Sequence, residues 1–111
     1  MEGNLIVDLS FQFALDIVEF TNILKQRKEY EIANQLFRSG TSIGANVSEA
    51  QGGETKRDFR HKVRIAYKEA METKFWLYLC KKSPHYPDPG DLPIKLGSII
   101  RVLGKIIASS K

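Results

Sequence analysis

Between Thr55 and Lys82 the chain sets nine cations (Lys56, Arg57, Arg60, Lys62, Arg64, Lys68, Lys74, Lys81 and Lys82) against three anions, Asp58, Glu69 and Glu72. The segment is formally +6, whereas the whole 111-residue chain is +4, so everything outside it is slightly acidic. Basicity gathered in one place is what a phosphate backbone or another anionic partner needs. On a helix, Lys56, Arg57, Arg60, Arg64 and Lys68 fall within an arc of about 120°, with His61 at its edge. Phe59, Val63, Ala66, Ala70 and Leu77 fall in a separate arc of about 60°. One helix would thus carry a cationic stripe beside a core stripe. The ordinary explanation of such a stripe is a solvated face, so the patch is a candidate site weighed against that one.

Other chemistry is thin. His61 and His85 are isolated, with no carboxylate or cysteine at metal-ligand spacing to either. No serine has the surroundings of a catalytic nucleophile. Gly40-Thr41-Ser42-Ile43-Gly44 has two glycines but lacks the lysine and preceding strand of a phosphate-binding loop. Glu69 and Glu72 are helical neighbours; Lys68 stands four residues from Glu72, the spacing of a helical ion pair, whereas Lys74 stands at neither three nor four from either. The single cysteine, Cys80, excludes an internal disulfide and an all-cysteine metal site, and its run Trp76-Leu77-Tyr78-Leu79-Cys80 predicts a packed thiol. The expectation is a protein that is not an enzyme and uses no metal or cofactor.

The chain length predicts one domain over residues 1–111. Hydrophobic content of 42% and charged content of 27% are globular values. Asn4–Leu9 is apolar but short and flanked by Glu2 and Asp8, so it does not read as a signal peptide. No apolar run is long enough to span a membrane. The expected location is cytoplasmic.

Four helical segments must position the patch. The first starts at Asp8 or Ser10, either of which is a good N-cap, and runs to Lys28. Phe11, Ala14, Leu15 and Val18 lie on one face and Phe13, Ile17, Phe20 and Leu24 on an adjoining one. That arc is wider than a core stripe, which points to contact on two sides. The second begins near Glu29 and carries Ile32, Leu36, Ile43 and Val47. Its Ser39–Ser42 stretch admits a loop between short helices or one long helix whose small residues let a neighbour approach. Gly40 and Gly44 share a face and the apolar phase survives from Leu36 to Ile43, which favours the continuous helix. Gly52-Gly53 stops it. The third starts at Thr55, with Asp58 three residues on, and runs to Lys82. Residues 83–90 form a Pro-rich loop. Asp91 then caps a fourth helix with Pro93 in its first turn, and Leu92, Leu96, Ile99, Ile100, Leu103, Ile106 and Ile107 form its apolar stripe. The tail Ser109–Lys111 should fray. Short connections predict an all-α, antiparallel up-down-up-down four-helix bundle. Ile65, Trp76 and Leu79 lie away from the core stripe of the third helix, and a subunit interface is the better explanation of a Trp there; the alternative is a Trp folded back over the helix end.

Two long motifs carry a resemblance. Gln35-Leu36-Phe37-Arg38-Ser39-Gly40-Thr41-Ser42-Ile43-Gly44-Ala45-Asn46-Val47-Ser48-Glu49-Ala50 is one, and the segment from Asp58-Phe59-Arg60-His61-Lys62-Val63-Arg64 through Met71-Glu72-Thr73 is the other. Both resemble the small bacterial four-helix-bundle proteins encoded in intervening sequences of the 23S ribosomal RNA gene. That family is in turn similar to the accessory protein of diversity-generating retroelements. The resemblance implies a ring-like homopentamer and RNA or DNA bound by a positive surface, with no established enzymatic activity. It also places Asn46, Glu49, Glu69 and Glu72 as structural polar residues where helices meet.

The resulting expectation is a nucleic-acid-binding accessory protein, with RNA the expected ligand. Lys56, Arg57, Arg60, Arg64 and Lys68 would contact phosphate, with Arg38 brought near by a neighbouring helix, and Ile65, Trp76 and Leu79 would join subunits. The aromatic content of the patch predicts little base stacking, although Tyr67 is adjacent. The alternative is an interaction scaffold whose patch meets an acidic protein partner, such as a reverse transcriptase.

Overall fold

A computed structural model describes residues 4–110. Glu2, which entered the signal-peptide reading, and Lys111, the last residue of the expected frayed tail, lie outside that range. Helices α1 (Leu5–Gln26), α2 (Tyr30–Gln51), α3 (Lys56–Lys82) and α4 (Leu92–Ser109) make up the bundle, and no strand occurs among the described residues. Each helix packs on its neighbours in sequence, and α4 returns beside α1. The antiparallel up-down-up-down arrangement follows from the short turns at 27–29 and 52–55 and the longer loop at 83–91.

The cap of helix α1 lies four residues before the nearer of its expected caps, Asp8. Asn4 is the N-cap, its side chain accepting from the Val7 N–H at 3.4 Å and donating to Gln51 Oε1 at 3.0 Å. Asp8 instead sits in the first turn, where its charge complements the helix dipole. Ser10 is buried and donates to the Val7 carbonyl at 3.2 Å. The helix ends in a Schellman motif: the Glu29 N–H bonds the Leu24 carbonyl and the Lys28 N–H that of Lys25, both at 2.9 Å. Lys28 takes the left-handed position of that motif, at φ 63°.

The second helix is continuous through Ser39–Ser42. Gly40 and Gly44 are where α1 comes closest. A Cβ on Gly40 would stand 2.8 Å from Ile17 Cγ1, and one on Gly44 would stand 3.1 Å from the Ser10 carbonyl oxygen. The small residues therefore set how closely α1 and α2 approach. Ile32, Leu36, Ile43 and Val47 are buried as expected, against Phe13, Ile17, Phe20 and Leu24 of α1. Ser39 and Thr73 bring polarity into the centre: the Thr73 hydroxyl donates to the Glu69 carbonyl at 2.8 Å and lies 2.9 Å from Ser39 Oγ. Among the described residues no buried side-chain polar atom lacks a partner, as burial demands.

Thr55 caps α3, accepting from the Asp58 N–H at 3.0 Å. Asp91 precedes α4 as expected, with Pro93 in the first turn, but its side chain makes no capping bond. It lies 3.7 Å from Lys95 Nζ instead. The tail is better held than its composition implied. Ser110 Oγ donates to the Ile106 carbonyl at 2.6 Å, and the Ser110 carbonyl accepts from Arg60 Nη1 at 2.9 Å. Among the described residues no helix is long and apolar enough to cross a membrane.

Candidate nucleic-acid interface

The Thr55 cap starts α3 at Lys56, so the cationic stripe begins in the first turn and follows one edge of the helix. Lys56, Arg57, Arg64 and Lys68 are exposed, and none forms an ion pair among the described residues. Arg60 is half-buried because its guanidinium reaches the end of α4. Lys62, just off the stripe, donates to Glu49 Oε1 at 2.8 Å and links α3 to α2. His61 is exposed, and His85 Nε2 stands 3.2 Å from Glu29 Oε1.

Arg38 does not join this group. It is brought to α3, but at the acidic middle of that helix. Its Nη1 donates to Glu69 Oε1 at 3.3 Å and its Nη2 to Glu72 Oε2 and Gln35 Oε1. Glu72 also accepts from Trp76 Nε1 at 3.0 Å. Two of the three carboxylates that stand among the cations in sequence, Glu69 and Glu72, are thus engaged on the α2 side of the helix, whereas Asp58 forms no ion pair among the described residues. Of the other polar residues singled out by the motif, Glu49 bridges α2 to α3, whereas Asn46 stays within its own helix and donates to the Ser42 carbonyl at 2.8 Å.

The three residues expected at a subunit interface are partly covered within the subunit. Ile65 and Trp76 are half-buried, and Leu79 is 37% exposed. Trp76 packs against the core, and with Leu79 it lines a groove of about 520 Å³ whose other wall is α2 and whose end is Tyr86. The sequence left this side of α3 without cover because the Pro-rich loop that carries Tyr86 has no periodicity to place it. A bare apolar face lies on α1, where Phe11, Leu15 and Val18 are 65%, 46% and 45% exposed; Phe75 and Tyr78 of α3 are exposed to a similar extent. Beside Phe11 a groove of about 490 Å³ runs against the small residues Thr41, Gly44, Ala45 and Ser48 of α2.

Cys80 is buried, and burial pushes its thiol up to about 11. A raised thiol favours the folded state fully below its ordinary value of 9.0, and that preference is lost as pH climbs through 11. Such a thiol is a packing group and a poor nucleophile. Among the described residues no cluster of three or more His, Cys, Asp or Glu could hold a metal ion.

A cleft of about 340 Å³ on the α4 side of the patch escaped the sequence reading. It is lined by Arg64, Tyr67, Gly104 and Ile107. Tyr67 was legible as adjacent to the cations; the glycine opposite it comes from another helix.

The model of the 23S rRNA-intervening sequence protein family matches residues 2–90. The chain belongs to this family. The match takes in the whole of α1, α2 and α3, and with them the intervening-sequence motifs around Gly40 and Arg64. The chain is similar to a protein of unknown function from the S23 ribosomal protein family of Bacteroides thetaiotaomicron, at 35% identity and a TM-score of 0.86. That likeness covers 92% of this chain and 97% of the other. No curated protein matches the chain.

Proposed function

We propose that this protein is a non-enzymatic nucleic-acid-binding accessory protein, with RNA as its ligand, which acts as a homo-oligomer. One observation carries the reading: Lys56, Arg57, Arg64 and Lys68 are exposed together on α3 without anionic partners among the described residues, while Glu69 and Glu72 are held by Arg38. A solvated or salt-bridged face would interleave the two signs, as exposed helices ordinarily do. The family's association with intervening sequences of 23S rRNA favours RNA over other anions. Contacts to phosphate position a ligand without reading its bases, so sequence preference is low. Self-association through the exposed α1 ridge would set several patches side by side and turn weak single contacts into useful affinity. The pentameric number rests on the family resemblance alone.

The test is binding of a structured RNA and a duplex DNA across a salt series. Both bind more tightly as salt falls. Arg57→Ala with Arg64→Ala weakens binding and flattens the log–log salt slope by up to about one per lost phosphate contact. Arg60 is left in place because its guanidinium also holds the end of α4. No binding to either at about 50 mM salt would refute the proposal and leave an acidic protein as the partner of the patch.

A further inference from the structure

The stripe continues past the patch. Arg64, Tyr67, Lys74, Tyr78 and Lys81 recur at spacings of three, seven, four and three, which keeps them within about 100° on the edge of α3 that faces α4. They span about 26 Å of helix. The cleft holding Arg64 and Tyr67 lies at one end of this seam, and a second cleft of about 350 Å³ lies at the other. The second is walled by Tyr78, floored by Leu77, Leu96 and Ile100, and rimmed by Lys74, Lys81 and Arg101. A glycine of α4 opens each cleft, Gly104 in the first and Gly97 in the second. A Cβ on Gly104 would meet nothing within 4 Å.

The charge along this seam is of one sign with a single exception. All three acids of α3 lie about 140° or more from the middle of the stripe, the nearest, Glu72, about 80° from Arg64. Lys74 has no ion pair among the described residues, and Arg101 donates only to Ser98 Oγ, at 3.2 Å. Lys81 alone is engaged by an acid, Asp88, at 3.1 Å. Tyr78 is 61% exposed, with Lys82 Nζ 5.6 Å from its ring centroid.

We propose that the α3–α4 seam is a track for single-stranded nucleic acid, in which Tyr67 and Tyr78 each stack an unpaired base and Arg64, Lys74 and Arg101 hold the phosphates between them. The assignment rests on the nucleic-acid reading above and names its ligand class. Cations alone would suit a duplex, whose phosphates face outward. Tyrosine rings set in apolar clefts have no use for a duplex, because its base faces are already covered by their neighbours. An unstacked base offers a flat face to the ring while its phosphate reaches the adjacent cation, which is the combination that single-strand binders use. The open space at Gly104 leaves room for a base beside Tyr67.

Fluorescence anisotropy tests this with a labelled, unstructured RNA of about 12 nucleotides and the same strand annealed to its complement, at low salt. The single strand binds about tenfold more tightly than the duplex. Tyr78→Leu, at an exposed position, weakens single-strand binding about tenfold, leaving duplex binding and the salt slope unchanged because no charge is lost. Gly104→Leu does the same by filling its cleft, in a helix that tolerates the change. Tyr67→Phe keeps the ring and binds as the parent does. Equal or tighter duplex binding, or parental single-strand binding by both Tyr78→Leu and Gly104→Leu, overturns the track while leaving the basic patch as a phosphate site. Failure of the parent protein to bind either form overturns both, as does binding of an acidic helical peptide in their place.

Discussion

Arg38 is the residue whose meaning changes most between chain and fold. In sequence it is one more cation near a basic segment. In space it is the counterion of Glu69 and Glu72, and through Glu72 it is tied to the indole of Trp76. The consequence for the cationic surface is indirect. With those carboxylates engaged by Arg38, Asp58 is the one acid of α3 without an ion pair among the described residues. Arg38→Ala is therefore expected to leave intrinsic phosphate contact in place while costing about 0.5–1 kcal/mol of stability, a value reduced by the exposure of the pair. Denaturant unfolding measures the cost, and the salt series measures the binding. A loss of RNA affinity as large as that of Arg57→Ala with Arg64→Ala would place Arg38 on the ligand.

Among the elements, two glycines of similar appearance have opposite roles. Gly40 sits where α1 and α2 touch, and an added methyl would press on the fully buried Ile17. Overpacking there outweighs the gain of about 1 kcal/mol that alanine brings to a helix interior, so Gly40→Ala is expected to destabilise by about 1–2 kcal/mol. Gly104 faces open space, and Gly104→Ala is expected to stabilise by up to about 1 kcal/mol. Chemical denaturation of the two variants should move the midpoint in opposite directions. The same comparison separates helices held by close approach, α1 and α2, from the looser seam between α3 and α4 where the clefts lie.

At the scale of the molecule the open matter is what covers α1. A subunit of 12.6 kDa with Phe11, Leu15 and Val18 bare along one helix face has an apolar ridge that solvent does not favour. Phe37 of α2 is 42% exposed, and its ring lies 5.6 Å from Lys25 Nζ at the far end of α1. Light scattering is expected to give a mass several times that of the subunit. Phe11→Ser with Leu15→Ser should reduce it toward a single subunit with helicity retained, because neither side chain is part of the core. A monomeric parent protein at micromolar concentration would remove the oligomer from the proposal. Trp76 is a poorer probe of assembly than its place on α3 implies, since its truncation also removes contacts with the core.

Much of this was legible in the chain because helices are local. Periodicity placed four helices, the Gly40–Gly44 stretch read through as one of them, and Thr55 marked the start of the basic helix. The start of α1 was misplaced because Asp8 and Ser10 are good caps by type, and type cannot tell a cap from a first-turn acid or a buried hydroxyl; Asn4 prevails by reaching Gln51 of another helix. The cations of α3 were legible as a group because they share one helix. Which cation the acids of α3 answer to was not, since Arg38 and Glu72 are 34 residues apart and meet only when α2 packs on α3. The same holds for Tyr67 facing Gly104 and for Tyr86 beside Trp76. Spacing along one helix determines which face a side chain occupies; only the packing of a second helix or loop against that face determines whether it is a surface, a cleft or a covered contact.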